Sequence, residues 1–564
     1  MNLNFDDIFE NIERKIDECL SWLEKRIVLA TFLFFLISLI VRLILTRYGQ
    51  ILTADSYIYL LKSLEIAQGN FMPTKCYSIG WSLFMAPFLK IFASASIFTN
   101  MVYARIISDF VGAAMIFPLA LIGRKLTNRR TLVILLTLFT FYSSLIFAST
   151  VALTEPLFTL FFLFCIYFLI LCSENEKYLL IAAIFGAFAY YVRPNGLFIL
   201  PIIICSFLFL KRTEIFKIKT LKYLFYAILL FFLVSSPFLV QRYANFGSAF
   251  TYYGVNDKMF ANTIEEVWDS NIHAPSFLEY IQTHSIKDMF SRFFIKGFMQ
   301  IMLLFFHGVK SYEYSQIVSP LLIFFFLIGL IKSFKNEKFS PLIISTFLFI
   351  LALSLVYATF GNVRYLLVLV PSTLIFSAVG ISEVFNTIPK YKNLYLTFFL
   401  AIFIVFSMIT PIGSAFLGPK TQVPDWGIWA SENIHGKIVI PLYGELILMN
   451  LKDTTAAGVD MFTLYAPKSN LSIAAPGVFK NLTSAMFYYE EINVTHLAVD
   501  DSSISRFPSF NFLTESYKDP ASKAYLKEVF SNYDNSSSDW KIRIFEINWT
   551  AFNQNFKRET VKNG

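Results

Sequence analysis

The sequence predicts a polytopic α-helical membrane protein that carries a small α/β domain at its C-terminal end. Of its 564 residues, 56% are hydrophobic and only 15% are charged, whereas a soluble domain usually carries about 25% charged residues. Long apolar stretches recur between Ile27 and Thr410, and stretches of about 20 residues are typical of helices that cross a bilayer. The more polar segment that follows, residues 413–564, is predicted to be the soluble domain.

The apolar pattern indicates about 11 transmembrane helices, most of them long enough for an apolar core of about 30 Å. Residues 178–192 and 196–210 are short and flank Arg193-Pro194-Asn195, which favours a hairpin that turns near the membrane surface. Residues 297–306 are apolar but too short to span, and we interpret them as interfacial. The candidate spans are 27–46, 97–122, 131–149, 154–172, 178–192, 196–210, 222–240, 315–331, 341–358, 365–382 and 395–412.

Lysines and arginines are concentrated in alternate loops, which predicts that these loops share the cytoplasmic face. With residues 1–26 on the same face, an odd number of spans places residues 413–564 outside. The chain is then a multi-pass plasma-membrane protein with an extracellular C-terminal domain, or, in a eukaryote, an endoplasmic-reticulum protein with a lumenal one. The net charge of +8 therefore reflects topology rather than nucleic-acid binding. The basic residues concerned are Arg124, Lys125, Arg129, Arg130, Lys177, Lys211, Arg212, Lys217, Lys219, Lys332, Lys335, Lys338, Lys390 and Lys392.

The chain therefore divides into a cytoplasmic segment 1–26, a membrane domain 27–412 and the soluble domain 413–564. Two outer loops, 47–96 and 241–309, are long, and long loops in a compact domain are usually functional.

The soluble domain is predicted to be α/β because short apolar or alternating stretches in it are typical of strands. A helix with Trp426, Trp429 and Glu432 precedes the first strand. No Gly-rich phosphate loop accompanies the strands, so we expect no nucleotide site there. The predicted strands cover residues 437–442, 494–500 and 542–547.

Five Asn-X-Ser/Thr sequons lie in the soluble domain, and this acceptor motif marks surface positions of exported segments. An Asn-rich polar segment also produces such sequons by chance, so both interpretations stay open. The five cysteines form no CxxC pair, and the histidines form no HExxH motif, so the sequence indicates neither a disulfide framework nor a zinc site. The sequon asparagines are Asn470, Asn481, Asn493, Asn535 and Asn548.

Asp55 stands where the first span leaves the membrane. Apolar residues recur at helical spacing from Tyr57 to Ala67, with Lys62, Ser63, Glu65 and Gln68 between them, and Gly69 follows. This pattern predicts an amphipathic helix that lies on the membrane. Asp55 is then either a helix N-cap or a functional carboxylate.

Further ionisable residues recur at the outer ends of the spans, where buried charges are costly and so mark candidate functional sites. Each has a simpler explanation: Arg42 would snorkel to the surface, Arg105 would pair with Asp109, and Arg242 and Arg364 would anchor the interface. Together, however, they would gather acids and arginines beneath the outer loops. A lipid phosphate there would need arginine, and an acceptor hydroxyl would need a carboxylate base. The residues are Arg42, Arg105, Asp109, Glu155, Arg193, Arg242 and Arg364.

Several segments, in order over about residues 25–410, resemble the GT-C glycosyltransferases. The likeness is to the branch of protein O-mannosyltransferases, lipid A aminoarabinose transferases and RgtA/B/C/D-like enzymes. The matching segments are Ala54-Asp-Ser-Tyr57 through Gln68-Gly69, residues 77–86, Ala104-Arg105, Leu153-Thr-Glu-Pro156, Val192-Arg-Pro-Asn-Gly196, Pro237 through Arg242 to Phe246-Gly247, and Arg364-Tyr365.

The resemblance implies the GT-C fold and an inverting transfer of a sugar from a polyprenyl- or dolichyl-phosphate donor. The acceptor would be a protein, glycan or lipid at the outer face. Asp55 matches the family's general base, and Glu155 matches an acid at the start of the fourth span; the resemblance implies that both are catalytic residues. Arg105, Arg193 and Arg364 match recurrent arginines, which we expect to bind substrate together with Tyr57 and Arg242.

Many relatives have Asp-Glu or Asp-Asp where this chain has Asp55-Ser56. This difference argues against the metal-dependent oligosaccharyltransferase branch, so we expect no cofactor and no divalent metal. A transporter or flippase for lipid-linked glycans is an alternative, although we find no internal repeat of the kind transporters often show. A non-catalytic envelope protein is another. The soluble domain and the loop with Tyr252, Tyr253, Trp268 and His273 would cover the acceptor side.

Overall fold

A computed structural model of the chain describes most of the membrane domain and part of the soluble domain. Several residues named above lie outside the described residues: Tyr252, Tyr253, Trp268, His273, Trp426, Glu432, Asn470 and Asn535. The described ranges are 5–48, 54–71, 77–94, 97–250, 260–262, 275–306, 317–358, 363–417, 429–430, 433–439, 472–474, 481–500, 520–533 and 542–556.

The N-terminal part of the chain is helical throughout its described length. Its helices are α1 Phe5–Lys25, α2 Ile27–Leu45, α3 Ala54–Ala67, α4 Gly80–Phe92, α5 Ile97–Ala114, α6 Ile116–Leu126, α7 Arg129–Thr140, α8 Ser143–Thr150, α9 Glu155–Leu171, α10 Tyr178–Val192, α11 Ile199–Leu210, α12 Ile218–Phe246, α13 Phe277–Thr283, α14 Ile286–Phe290, α15 Phe298–Phe306, α16 Ile323–Ser333, α17 Ser340–Tyr357, α18 Val370–Asn386 and α19 Lys392–Leu417. Short 3-10 turns at Pro194–Phe198, Pro320–Leu322, Glu337–Phe339 and Val363–Leu369, and a π-helical turn at Ser291–Gly297, connect some of them.

The chain is a helical membrane protein, as predicted. Within the described residues, seven helical stretches are long and apolar enough to span a bilayer, or eight if α7 and α8, which meet at 49°, form one broken span. Of the five shorter apolar helices in the same residues, four, including α9 and α10, coincide with the other predicted spans, and α4 does not. In the described residues, the number of helices that could span a bilayer by length and composition is therefore smaller than the 11 predicted.

The interpretation of residues 297–306 as an isolated short segment is wrong. Helical turns run without a break from Ile286 to Phe306, which is long and apolar enough to span. A capping box begins this stretch, because Ser285 accepts from the backbone N–H of Asp288 and the Asp288 carboxylate accepts from that of Ser285. The π-helical turn at Ser291–Gly297 then continues the helix past its polar residues.

The prediction that α3 lies on the membrane with a polar side towards water is also wrong. Lys62 is only 5% exposed, and Ser63 is fully buried. The Ser63 hydroxyl donates to the carbonyl of Tyr59, and Lys62 pairs with Glu65 at 2.7 Å. These local contacts satisfy the polar side chains, so α3 packs inside the protein, against α4 and α5.

Part of the soluble domain forms a five-stranded mixed sheet in the order β2-β1-β3-β5-β4. Strand β1 is parallel to β2 and β3, whereas β5 is antiparallel to β3 and β4. The three predicted strands are confirmed in place as β1, β3 and β5. Helices α20 and α22 pack on one face of the sheet, and Ala430 and Ile434 pack on the other. The elements are β1 Lys437–Val439, β2 Ser472–Ala474, α20 Leu482–Glu491, β3 His496–Asp500, α21 Pro520–Lys523, β4 Leu526–Ser531, β5 Ile542–Ile547 and α22 Trp549–Asn555.

Candidate active site

Asp55 lies in the first turn of α3, and its carboxylate contacts two side chains from distant parts of the chain. One oxygen accepts a hydrogen bond of 2.9 Å from the Tyr77 hydroxyl, and the other pairs with the guanidinium of Arg364. Burial alone would raise the pKa of Asp55, but the Arg364 guanidinium and the Tyr77 hydroxyl hold that pKa below its usual value. The carboxylate is therefore ionised at neutral pH and is held by groups well outside its own helix.

Glu155 completes a cluster of two carboxylates and two guanidiniums. Its carboxylate is 2.5 Å from the Arg193 guanidinium and 3.6 Å from Nε of Arg364. Arg364 therefore bridges Asp55 and Glu155, and Arg193 pairs with the same Glu155 oxygen that Arg364 approaches. With two positive and two negative side chains, the cluster has no formal net charge.

The local sequence explains why these side chains project where they do. Glu155 stands in the first turn of α9, where the helix dipole favours an acid and where Pro156 is tolerated. Arg193 ends α10 in an extended conformation, with φ −147° and ψ 143°, because a residue before proline is disfavoured in the helical region. Arg364 stands in the 3-10 turn that leads into α18.

Aromatic side chains surround the cluster. The guanidinium carbons of Arg193 and Arg364 lie 5.2 Å and 5.6 Å from the ring centre of Tyr365, within the range of a cation–π contact. The ring of Tyr77 packs edge-on against Tyr59, with centres 5.3 Å apart. Tyr57, predicted to bind substrate, is almost fully buried in α3.

Two hydrogen bonds tie α3 and α4 to the turn that precedes Glu155. The Ser56 hydroxyl donates to the carbonyl of Val151 at 2.5 Å, and Trp81 Nε1 donates to the carbonyl of Ala152 at 3.1 Å. Ala152 has a φ of 55°, in the left-handed region that alanine rarely adopts. These contacts fix the turn that carries Glu155 relative to the helix that carries Asp55.

Sequence reasoning did not identify Tyr77, Thr154 or Tyr365 as site residues. Thr154 accepts from the Arg193 guanidinium at 3.2 Å and donates to the Glu155 carboxylate at 3.3 Å. All three residues lie within the segments that carried the family resemblance, directly beside or at the start of a motif. That adjacency is the signal that could have found them.

Arg105 lies in a second polar cluster, with α2 and α5, rather than beside Asp55. Its guanidinium donates to the carbonyl of Tyr48 at 3.4 Å, and Asp109 lies one turn later on α5. The Asp109 carboxylate accepts from the Thr46 hydroxyl at 2.5 Å. The simpler explanation, that Arg105 belongs with Asp109, fits this grouping.

Arg42 does not snorkel, contrary to the sequence-based prediction. It is fully buried, and its guanidinium donates to the backbone carbonyl and hydroxyl of Ser38. Its Nε would lie only 3.2 Å from a Cβ at position 112, so Gly112 leaves room for it. Arg42 projects sideways into the protein because α5 offers both this space and the charge of Asp109.

Arg242, predicted to bind substrate, is also buried. Its guanidinium carbon lies 5.8 Å from the ring centre of Phe238 and 5.3 Å from that of Phe246, both on α12. The prediction that it anchors the interface does not agree with this burial. Arg242 instead packs between aromatic rings at the end of α12.

The chain matches no protein-family model and no curated protein by sequence. Its fold nevertheless resembles solved structures. Archaeal oligosaccharyltransferase AglB from Archaeoglobus fulgidus, in complex with an inhibitory peptide and a dolichol-phosphate, matches with a TM-score of 0.55 and 15% identity over 92% of this chain and 74% of its own. ArnT from Cupriavidus metallidurans bound to undecaprenyl phosphate matches with a TM-score of 0.51 and 11% identity over 91% and 97%. Both are GT-C membrane glycosyltransferases.

The chain has the GT-C fold. A further A. fulgidus oligosaccharyltransferase structure, tethered to an acceptor peptide with the NVT sequon, matches with a TM-score of 0.54 and 14% identity over 85% of this chain and 70% of its own. The family resemblance predicted from the sequence is thus confirmed as a likeness of fold. The cluster of Asp55, Glu155, Arg193 and Arg364 joins four of the segments that carried the resemblance.

The residues of this candidate site are better suited to an anion than to a cation. The carboxylates of Asp55 and Glu155 are both paired with guanidiniums. Among the residues that the structure describes, no three His, Cys, Asp or Glu side chains gather as a group that could hold a metal ion. Arg193 and Arg364, by contrast, carry planar donor groups that suit phosphate oxygens.

The sequons that the structure describes lie on the surface of the soluble domain. Asn481 and Asn548 are exposed helix N-caps, with side chains that accept from the backbone N–H groups of Ser484 and Ala551. Asn493 is exposed in a turn with a φ of 56°. Their exposure agrees with the prediction of glycosylation, which stays a prediction.

Proposed function

We propose that this protein is an inverting glycosyltransferase that uses a polyprenyl- or dolichyl-phosphate sugar as donor. The observation that supports this best is the cluster of two acids and two arginines in a chain with the GT-C fold. The proposal includes an acceptor that is a protein, glycan or lipid, and an active site at the extracytoplasmic face. It includes no cofactor and no metal.

In the proposed reaction, Asp55 is the general base. Its carboxylate takes the proton of the acceptor nucleophile while the nucleophile attacks the anomeric carbon of the donor. The bond from that carbon to the phosphate oxygen breaks, and its electron pair leaves with the lipid phosphate. Attack from the side opposite the phosphate inverts the anomeric configuration. The low pKa of Asp55 keeps this carboxylate ionised at neutral pH, and loss of the Arg364 contact on donor binding would raise that pKa and make Asp55 a stronger base.

Arg364 and Arg193 are proposed to bind the donor phosphate. Each guanidinium has five N–H donors, so both can contact phosphate oxygens while Glu155 and Tyr365 still orient them. A phosphate bound to Arg364 would also compete with Asp55 for that guanidinium. Donor binding would thereby release the base that the reaction needs, and would place positive charge where the leaving phosphate develops negative charge.

Glu155, matched by resemblance to a catalytic acid, is proposed here to hold both arginines in place. It contacts Arg193 at 2.5 Å and Arg364 at 3.6 Å. Tyr57, Arg105 and Arg242 remain proposed substrate-binding residues on the resemblance alone. The soluble domain is proposed to act as a lid or to recognise the acceptor above the membrane site.

Two known fold relatives support the choice of donor class. AglB was solved with a dolichol-phosphate, and ArnT was solved with undecaprenyl phosphate. The alternatives, a lipid-linked glycan flippase and a non-catalytic envelope protein, lack a comparable observation in their favour. A flippase would move the intact lipid-linked sugar and would release no free lipid phosphate.

The proposal is tested in membranes that contain the full chain and a panel of radiolabelled polyprenyl- and dolichyl-phosphate sugars. The wild type should transfer label to an acceptor fraction, and Asp55→Asn should lose transfer by roughly 10²- to 10⁴-fold, the usual contribution of a general base. Glu18→Gln, which changes an exposed acid on α1, serves as the matched control and should keep full activity. Full transfer by Asp55→Asn would overturn the role of the base. No transfer by the wild type from any donor would favour the alternatives.

A further inference from the structure

Helix α1 caps another helix of the membrane domain from outside. The Glu13 carboxylate accepts from the backbone N–H groups of Asn393 at 3.0 Å and Leu394 at 2.6 Å, in the first turn of α19. Such N–H groups have no partner within their own helix, and an acid at this end is favoured by the helix dipole. This contact fixes α1 at the start of α19.

The same acidic edge of α1 also binds the start of α7. Asp17 accepts from the side-chain amide of Asn393 at 2.9 Å and pairs with Arg130 at 3.0 Å. Arg130 stands in the first turn of α7 and also pairs with Glu24 at 3.3 Å. Because α2 begins at Ile27, directly after α1, three apolar helices begin along the length of α1. Helix α1 therefore runs along one end of the helix bundle rather than away from it.

The apolar residues of α1 form a second edge, adjacent to the acidic one. Leu20 and Leu23, near its C-terminal end, pack against the core. Ile8, Phe9 and Ile12, in its N-terminal half, are 38%, 42% and 39% exposed. At about 100° per residue, these three side chains project to one side of the helix, about a quarter-turn from Glu13.

We propose that α1 is a membrane-surface helix, with Ile8, Phe9 and Ile12 inserted into the boundary between lipid head groups and acyl chains. The acidic edge is bound to the protein by Arg130 and the start of α19. The apolar edge continues a surface of exposed apolar side chains, which begins on α2 with Val28, Leu29 and Phe32. The exposed far side carries charged residues such as Arg14 and Glu18. An apolar face opposite a charged face is the pattern of an interfacial helix.

The bilayer, rather than a second protein, is the proposed occupant because of this continuity. The exposed apolar side chains on α2 already face the acyl chains if α2 spans the membrane. Any lipid that contacts the first turn of α2 lies at the level of α1. A soluble partner on the same edge would have to displace that lipid.

The test uses nitroxide labels on the full chain in phosphatidylcholine nanodiscs. Cys19, Cys76 and Cys205 are replaced by serine, and single cysteines are placed at Ile12→Cys or, as the matched control, at Glu18→Cys. Power saturation compares access of oxygen, which dissolves in lipid, with access of a water-soluble nickel chelate. The label at position 12 should show a several-fold higher ratio of oxygen to nickel access than the label at position 18.

Equal ratios at positions 12 and 18 would overturn the proposal, because both faces would then lie in water. Low access of both reagents at position 12 would overturn it too, because a protein partner or a second copy would then cover this edge. A second variant tests the contact between Glu13 and the first turn of α19. Glu13→Ala should reduce the oxygen preference at position 12 several-fold, whereas Glu18→Ala, which changes an exposed acid on the far side, should leave it unchanged. An unchanged preference in Glu13→Ala would show that α1 does not depend on the cap of α19.

Discussion

The carboxylate of Asp55, at the start of α3, is paired with the guanidinium of Arg364, in the turn that leads into α18. The two residues are far apart in sequence, and neither helix neighbours the other along the chain. In the proposed function, this ion pair keeps Asp55 from acting as a base until a donor phosphate binds Arg364. The strength and specificity of this pair can be tested.

Arg364→Lys should not be a conservative change. A lysine ammonium is a point charge without the planar fork that reaches Asp55 and Glu155 at once. We expect phosphate-lipid binding and transfer both to fall by at least about tenfold, which corresponds to about 1.4 kcal/mol. Binding of undecaprenyl phosphate to the purified chain measures the first effect, and labelled sugar transfer measures the second. Lys332→Arg, at an exposed ion pair with Glu383, is the control. Wild-type affinity for undecaprenyl phosphate in Arg364→Lys would contradict the role proposed for the planar guanidinium.

The pH profile of transfer should reflect the lowered pKa of Asp55. Because Arg364 and Tyr77 hold this pKa below its ordinary value of 3.8, the acidic limb of kcat/KM should lie below that pH. In Arg364→Gln, burial is no longer opposed by the guanidinium, so the limb should move to higher pH. A limb that stays in place in this variant would show that another group sets it.

The same pKa predicts how stability changes with pH. A carboxylate with a folded-state pKa below its unfolded-state pKa adds stability above the unfolded value, and this contribution is lost as pH falls through the folded value. Thermal unfolding of the detergent-solubilised chain should therefore show a loss of stability on acidification from about pH 6 to about pH 3. This range runs from about two pKa units above an ordinary aspartate carboxyl to about one below it. Asp55→Asn should lose less on acidification than the wild type, since its side chain does not titrate.

The hydrogen bonds from Ser56 and Trp81 to the Val151–Ala152 turn should matter for both folding and transfer. Trp81→Phe keeps an aromatic ring but leaves the buried carbonyl of Ala152 without its indole donor, which costs about 1–3 kcal/mol. Because this turn carries Glu155, transfer by the folded fraction should also fall. Thermal unfolding and transfer assays measure the two effects.

Ser236→Ala is a suitable comparison for Ser56→Ala, because Ser236 is an exposed serine that donates to a backbone carbonyl in its own helix. Ser56→Ala should lower transfer, and Ser236→Ala should not. Equal activity in the two variants would show that the bond to Val151 does not position Asp55.

Close helix packing between α16 and α18 should make their glycines intolerant of substitution. A Cβ at Gly380 would lie 1.9 Å from the carbonyl oxygen of Phe325, and a Cβ at Gly329 would lie 1.8 Å from that of Phe376. The backbones can approach this closely because both residues are small. Gly380→Ala should destabilise the chain by about 1–3 kcal/mol or more, whereas Gly413→Ala, which meets nothing within 4 Å, should be neutral in the same unfolding assay.

The sequence alone determined the class of protein and most of the residues of the candidate site. Apolar length predicted the helices because a bilayer requires a long uninterrupted run, and period-two alternation predicted strands β3 and β5. Asp55, Glu155, Arg193 and Arg364 each stood beside a turn or helix end that the sequence marks clearly with a proline, a polar start or a short loop. Their proximity was inferred from a shared membrane level and from family resemblance.

The tertiary structure decided which of these charges meet. Arg42, Arg105, Asp109 and Arg242 are likewise ionisable residues near the ends of spans, yet the contacts described for them are with other groups. The choice depends on helix rotation and on space, such as the gap at Gly112 that accepts the Arg42 guanidinium. Helix α3 is another case. Its polar residues predicted a face towards water, but a local hydrogen bond and an ion pair satisfy these side chains inside the protein. The positions of the charges and the hydrophobic periodicity can be read from each segment of the sequence. Which charges pair depends on distances between helices, which no single segment encodes.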